Sequence, residues 1–211
     1  MSLAAPKTSP EKTARIAPRD RILAAASELF YRHGIRAVGV EAIAEAAETN
    51  KMTLYRHFSS KDELVAEYLQ RLAEQSRSGW DRREAEHPGD PLGQLRTWLA
   101  EMAAHCASVG DRGCAFANAA VELPEKDHPA RRVIEAYKSD VGARLARLCA
   151  AAGLADPELL ADELFLVLEG ARVTAQSVGP KGLDERLIRT GEALIKAHMA
   201  GAAAAGSASV R

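Results

Sequence analysis

Apolar residues recur along most of this chain at spacings of three and four, the period of a helix with one buried face. Between Asp20 and His33, Ile22, Ala25, Ala26, Leu29 and Phe30 share such a face, and Gly34 follows as a C-terminal stop. After a short link, Val40, Ile43, Ala44 and Ala47 predict a second helix of roughly eight residues, and Leu54, Tyr55 and Phe58 predict a third that opens at Asn50. Asn50 suits an N-cap because its side-chain oxygen can accept from an amide left unpaired at the helix start. Ser60-Lys61-Asp62-Glu63 has the spacing of a capping box and opens a fourth helix towards Ser78.

Further on, Asp90-Pro91 and Asp156-Pro157 place a capping side chain before a proline that tolerates the first helical position. The first pair precedes Leu95, Trp98, Leu99 and Met102 on one face; the second precedes a strongly apolar helix to about Val178. Between them Gly110–Gly113 and Pro124–Pro129 bracket a short Ala-rich helix, and a long helix covers 130–152. Gly179-Pro180-Lys181-Gly182 turns the chain into a last helix, Asp184 to Met199. No stretch alternates with the period of two that a half-buried strand needs. The pattern predicts an all-α protein of about nine helices without internal repeats.

Composition agrees: aromatic residues are 5% of the 211, while the 47% apolar and 27% charged shares are those of a globular chain rather than a disordered one. Residues 1–17 are polar and include Pro6 and Pro10, which predicts a loose arm, and 201–211 are mostly Ala, Gly and Ser, which predicts a disordered tail. The mainly apolar run 159–168 is broken by Asp162 and Glu163, far short of the roughly 20 residues of a membrane span. No signal-peptide pattern is visible, so the expected place is the cytoplasm. Cys106, Cys114 and Cys149 lack metal or disulfide spacing and read as buried small hydrophobes. Neither a metal site nor a cofactor is expected.

Three short helices ending in Tyr55-Arg56-His57-Phe58 fit a helix-turn-helix, whose second helix enters the major groove of DNA. Leu54, Tyr55 and Phe58 would turn inward against Leu29, Phe30 and Ile43, leaving Lys51, Met52, Thr53, Arg56 and His57 outward. At Ile43-Ala44, Leu54-Tyr55-Arg56-His57-Phe58 and Ser60-Lys61-Asp62-Glu63-Leu64 the sequence resembles the TetR family of bacterial regulators. The resemblance implies a DNA-reading head over 18–61 and a ligand-binding, dimerising body over 62–200. It further implies a homodimeric repressor on a palindromic operator, released by a small molecule. Among its DNA contacts it places Lys51, Met52 and Thr53 near base edges and Tyr55, His57 and Lys61 on phosphates, with Arg56 a further phosphate candidate.

Two positions depart from the family pattern. Glu48 stands where a turn glycine is usual, so the turn either carries about 1 kcal/mol of backbone strain or is built differently. Val38 and Gly39 stand where hydroxyl residues commonly cap the second helix.

In the body, Trp98, Met102, His105, Phe116, Asn118, Glu122, Tyr137, Phe165, Glu169 and Arg172 are the candidate pocket residues; Arg112-Gly113-Cys114 with Asn118 and Glu122 is similar to a pattern in a subset of TetR-like regulators. The mixture suits an aromatic or amphipathic small molecule. Helices 157–178 and 184–199 correspond to the family's dimerisation pair, and Leu159, Leu160, Leu164, Phe165, Val167 and Leu168 exceed what one side of a helix needs. Two other classes stand beside this one: an all-α enzyme using His105 or Glu122 as acid or base, disfavoured by the lack of a nucleophile-base pair, phosphate loop or metal set, and a helical adaptor, which leaves the aromatic-basic third helix unexplained.

The formal charge of −1 looks unsuited to DNA, but it is an average. Residues 1–61 hold 10 Lys plus Arg against 6 Asp plus Glu, and residues 62–211 hold 18 against 23, a basic head on an acidic body.

Overall fold

The computed structural model describes residues 17–108 and 112–208, with side chains described up to residue 199. Within them the chain forms nine helices and no strand: α1 (Pro18–His33), α2 (Val40–Ala46), α3 (Lys51–His57), α4 (Lys61–Glu86), α5 (Pro91–Ala107), α6 (Ala115–Glu122), α7 (Pro129–Ala151), α8 (Pro157–Ser177) and α9 (Leu183–Ala208). The all-α reading and its helix count hold.

Most helix ends are set by the chemistry expected. Asn50 Oδ1 accepts from the Thr53 amide at 2.9 Å, Ser60 Oγ from the Glu63 amide at 3.1 Å and Asp90 Oδ1 from the Gly93 amide at 2.9 Å. The capping box is displaced by one residue on its return side: the Glu63 carboxylate takes the backbone and hydroxyl of Ser59, not the amide of Ser60. Gly34 ends α1 at φ +88°, its N–H on the Phe30 carbonyl.

Three local expectations are corrected. α4 continues two turns beyond Ser78 to Glu86, because Trp80 and Arg83 are buried against α5 and hold those turns down. Asp156 precedes Pro157 as expected but lies in the left-handed region at φ +45° with no side-chain cap. α9 does not stop at Met199; the helix runs through Ala208, so 201–208 are not the disordered tail expected, since Ala-rich sequence sustains a helix already nucleated by packing. The expected arm over 1–17 lies, apart from Ala17, outside the described residues, as do 209–211.

The core has two parts. One gathers Ile22, Ala26 and Phe30 of α1, Ile43 of α2, Leu54 of α3 and Phe58 with Leu64, Tyr68 and Leu69 of α4, together with Phe116 of α6 and Ile134 of α7. The other joins Trp80, Trp98, Leu145, Leu160, Leu164, Leu168 and Ile195 from α4, α5, α7, α8 and α9. Tyr137, midway along α7, packs on both. The three N-terminal helices pack on one another and, through α1, against α4, with Phe116 of α6 and Ile134 of α7 in the same core.

Candidate nucleic-acid interface and internal cavity

α3 is held by Leu54 and Phe58, both essentially inaccessible, and this fixes which of its residues face outward. Lys51, Met52, Arg56 and His57 are exposed, Met52 at 71%, and Thr53 is half-buried. Tyr55 corrects an expectation: it is 43% exposed instead of turned into the core, because Leu54 and Phe58, four apart, already fill the buried stripe and Tyr55 lies a hundred degrees away from Leu54. Asn50, Lys51, Met52, Thr53 and Arg56 together line a shallow surface depression of about 310 Å³.

Charge on this face is managed by pairs. Lys51 Nζ donates to Glu41 of α2 at 2.6 Å, which raises the lysine's pKa and lowers that of the carboxylate. Glu48 adopts φ +50°, so the turn keeps the left-handed geometry a glycine would supply and takes the strain; its carboxylate reaches Arg21 at 3.7 Å. Gly39 leaves α2 without a side-chain cap, and Val38 is buried. Lys61 turns inward: its ammonium donates to the Ile35 carbonyl at 2.6 Å and lies 5.9 Å from the Phe30 ring centroid, and partial burial lowers its pKa. As placed, Lys61 clamps the α1–α2 link.

Between the two cores lies a cavity of about 830 Å³. Of the ten residues singled out in the body, Trp98, Met102, His105, Phe116, Tyr137, Phe165 and Arg172 line it. Asn118 and Glu122 lie outside, beside the α1–α2 link: Asn118 donates to the Arg112 carbonyl at 2.8 Å, and Glu122 accepts the Arg36 amide at 2.9 Å. Glu169 stands behind the wall, bridging Lys138 at 2.6 Å and Arg172 at 2.7 Å. Burial by itself would raise the Glu169 pKa; the hydrogen bond and charge of Lys138 and the charge of Arg172 outweigh it and lower the value. For His105, partial desolvation and then the Arg172 charge hold the imidazole below its usual pKa.

Sequence inspection missed Trp80, Arg83, Glu101 and Tyr68 in this wall. Trp80 stacks on Trp98 with centroids 6.2 Å apart at 14°, and Phe116 stacks on Tyr137 at 3.7 Å and 10°. Arg83, buried under Trp80, meets Glu101 through Nε at 2.7 Å and through Nη2. The available signal was Trp80 itself, an aromatic beyond the assumed helix end. All three cysteines are free and buried, and Cys114 lies in the wall with Sγ 3.5 Å from Lys138 Nζ.

The cavity reaches the head. Ala24, Ser27, Glu28 and Tyr31 of α1 line it, and with the exposed Arg71 and Gln75 of α4 they form its mouth. The Tyr31 hydroxyl donates to the Gly113 carbonyl at 3.3 Å and accepts the Arg112 amide at 2.9 Å.

A helix-turn-helix on such a body is also what the comparisons find. Residues 22–68 match the family model described as bacterial regulatory proteins, tetR family. A crystal structure of a TetR-family transcriptional regulator from Streptomyces coelicolor superposes with a TM-score of 0.81 at 30% identity, over 86% of this chain and 95% of that one. The chain belongs to the TetR family of transcriptional regulators. A second TetR regulator structure, from Streptomyces avermitilis, gives a TM-score of 0.75 at 33% identity over 87% of this chain and 98% of that one. Sequence matches to named relatives are shorter: the transcriptional activator FasR of Mycolicibacterium smegmatis is 46% identical over 61 residues, 29% of this chain and 28% of FasR. The transcriptional regulator TtgR of Pseudomonas putida is 34% identical over 84 residues, 40% of each chain. This TetR-family chain is thus a DNA-binding regulator and not an enzyme, and no helix among the described residues is long and apolar enough to cross a membrane.

Proposed function

We propose that this TetR-family protein is a cytoplasmic repressor that binds a palindromic operator as a homodimer and leaves it when a small molecule fills the cavity. The head would comprise 18–61 and the effector-binding, dimerising body 62–200. The observation that carries this reading is the shared wall: the same α1 that supports the recognition helix lines the cavity, so an occupant that shifts α1 shifts α3. In the major groove Lys51 would donate to guanine acceptors and the methyl groups of Met52 and Thr53 would meet thymine, while Tyr55, Arg56 and His57 would hold phosphates.

A second copy is supported by α8, where Leu159, Leu166 and Val173 recur every seven residues and are 53%, 71% and 64% exposed. That stripe differs from the surplus expected from sequence: Leu160, Leu164 and Leu168 are spent on the monomer core, and Phe165 lines the cavity. Two-fold pairing of α8 and α9 would bury the exposed stripe in a four-helix bundle.

Fluorescence anisotropy against the DNA flanking the protein's own gene tests the reading. Salt-dependent binding to a palindrome is expected, with weaker binding by Thr53→Ala on some sequences and not others. A folded dimer that fails to bind that DNA at low salt overturns it. Transcription assayed with and without the protein separates repression from the activation for which FasR is named.

A further inference from the structure

Two arginines stand in the cavity wall, Arg83 buried and Arg172 partly so, and their carboxylate partners engage them differently. Arg83 donates from both Nε and Nη2 to Glu101, so the edge of its guanidinium that best fits a carboxylate is already filled by one. Arg172, whose side chain is 11% exposed, has no such partner. Its Nη1 takes one oxygen of Glu169, whose other oxygen belongs to Lys138, so one carboxylate serves two cations; Glu101 is likewise shared, with Arg82, but Arg82 is exposed and also faces Glu86. Arg172 Nε is buried without a hydrogen-bond partner, and Nη2 meets the sulfur of Met102 at 3.7 Å. Burial raises the pKa of Tyr137 and of Cys106, which keeps these two neighbours from serving as a second negative charge. An unanswered positive charge in a water-poor wall is costly unless something of opposite sign completes it.

The rest of the wall is aromatic. Trp80 and Trp98 are stacked, Phe165 lies under the Lys138 ammonium at 5.0 Å, and Tyr137 stacks on Phe116. A volume of about 830 Å³ admits a molecule of more than one ring. We propose that the cavity binds a monoanionic aromatic carboxylate, its carboxyl group against the Arg172 guanidinium and its ring on the Trp80, Trp98 and Phe165 wall. A single negative charge matches the excess of one in the Lys138–Glu169–Arg172 cluster, and a guanidinium suits a carboxylate better than it suits a neutral head group. The proposal rests on the cavity being the effector site, but it concerns binding and is testable without DNA.

Trp80 and Trp98 are the two tryptophans of the chain, and both face this cavity, so intrinsic fluorescence reports its occupancy directly. The full-length protein is titrated with phenylbutyrate, the neutral phenylbutyramide and the cationic phenylbutylamine, which share a ring and chain and differ in the head group. Phenylbutyrate is expected to bind at least about tenfold more tightly than the amide, with the amine weakest. Arg172→Gln removes that preference; Glu169→Gln, which leaves Lys138 and Arg172 without their shared counter-charge, tightens phenylbutyrate binding and keeps the proposal testable should the first variant fold poorly. Equal binding of acid and amide, an Arg172-independent preference, or no response to phenylbutyrate at millimolar concentration overturns the proposal. Acid binding with the expected variant pattern but unchanged operator affinity keeps the anion site and instead removes ligand release; release by a neutral compound alone does the reverse.

Discussion

Glu122 Oε2 accepts the backbone N–H of Arg36 at 2.9 Å, joining the end of α6 to the α1–α2 link across 86 residues of sequence. The same carboxylate lies 3.1 Å from where a Cβ on Gly34 would stand, so a side chain at Gly34 would press on it in addition to the strain of φ +88°. This charge-assisted bond ties the DNA-reading head to α6. Glu122→Ala is expected to cost about 1–2 kcal/mol and to speed hydrogen exchange at the Arg36 amide, whereas Glu122→Gln, which keeps an acceptor oxygen, loses less. Exchange at Arg36 unchanged in the Ala variant would show that the bond does not hold the link.

Glu48 in the left-handed region predicts a gain on mutation. Glu48→Gly should raise stability by about 0.5–1 kcal/mol by relieving that strain, since the exposed pair with Arg21 contributes little. It also removes a negative charge from the turn before α3 and should tighten operator binding at low salt. Thermal denaturation and anisotropy read the two effects separately.

Lys61 is engaged with the Ile35 carbonyl, so Lys61→Met should act mainly on stability, by about 1–2 kcal/mol, through an acceptor left unpaired. A lysine neutralising a phosphate would instead reduce the salt slope of DNA binding by about 0.9. A slope that falls by that amount, with the melting temperature unmoved, would assign Lys61 to DNA.

Leu166 is 71% exposed in the middle of α8, so Leu166→Arg should leave the protomer folded and prevent its pairing. Size-exclusion chromatography with light scattering should then report a monomer of unchanged helicity with weakened operator binding. A variant that remains a dimer places the interface elsewhere.

The Glu169 carboxylate carries a pH signature. Its pKa in the folded protein lies below the ordinary 4.5, so the unfolded chain binds a proton more readily. The stability that Glu169 contributes is therefore fully present above pH 4.5 and is lost as pH falls through the lower folded value. Glu169→Gln should be less stable near neutral pH, where Lys138 and Arg172 lose their shared partner, and should lose less on acidification. Urea midpoints measured from neutrality down to about pH 3 check both limbs.

The periodicity of Ile22, Phe30, Ile43, Leu54 and Phe58, the caps at Asn50, Ser60 and Asp90, and the outward positions of Lys51, Met52 and Arg56 were legible in the sequence, because each depends on residues within a turn or two. Seven of the ten pocket residues were legible too, as large or polar groups on apolar helix faces. What sequence alone could not decide was which neighbour each face would meet. Tyr55 and Leu54 are adjacent, and only the packing against α1 and α2 buries one and exposes the other. Lys61 and Lys51 look alike as surface lysines until the fold brings the Ile35 carbonyl to one and Glu41 to the other. Glu122 and Arg172, both read as pocket groups, part company because α6 and α8 approach different elements. Local patterning determined the helices and the outward face of α3; the tertiary structure determined partners, since contacts across 86 residues of chain leave no mark on the spacing of either end.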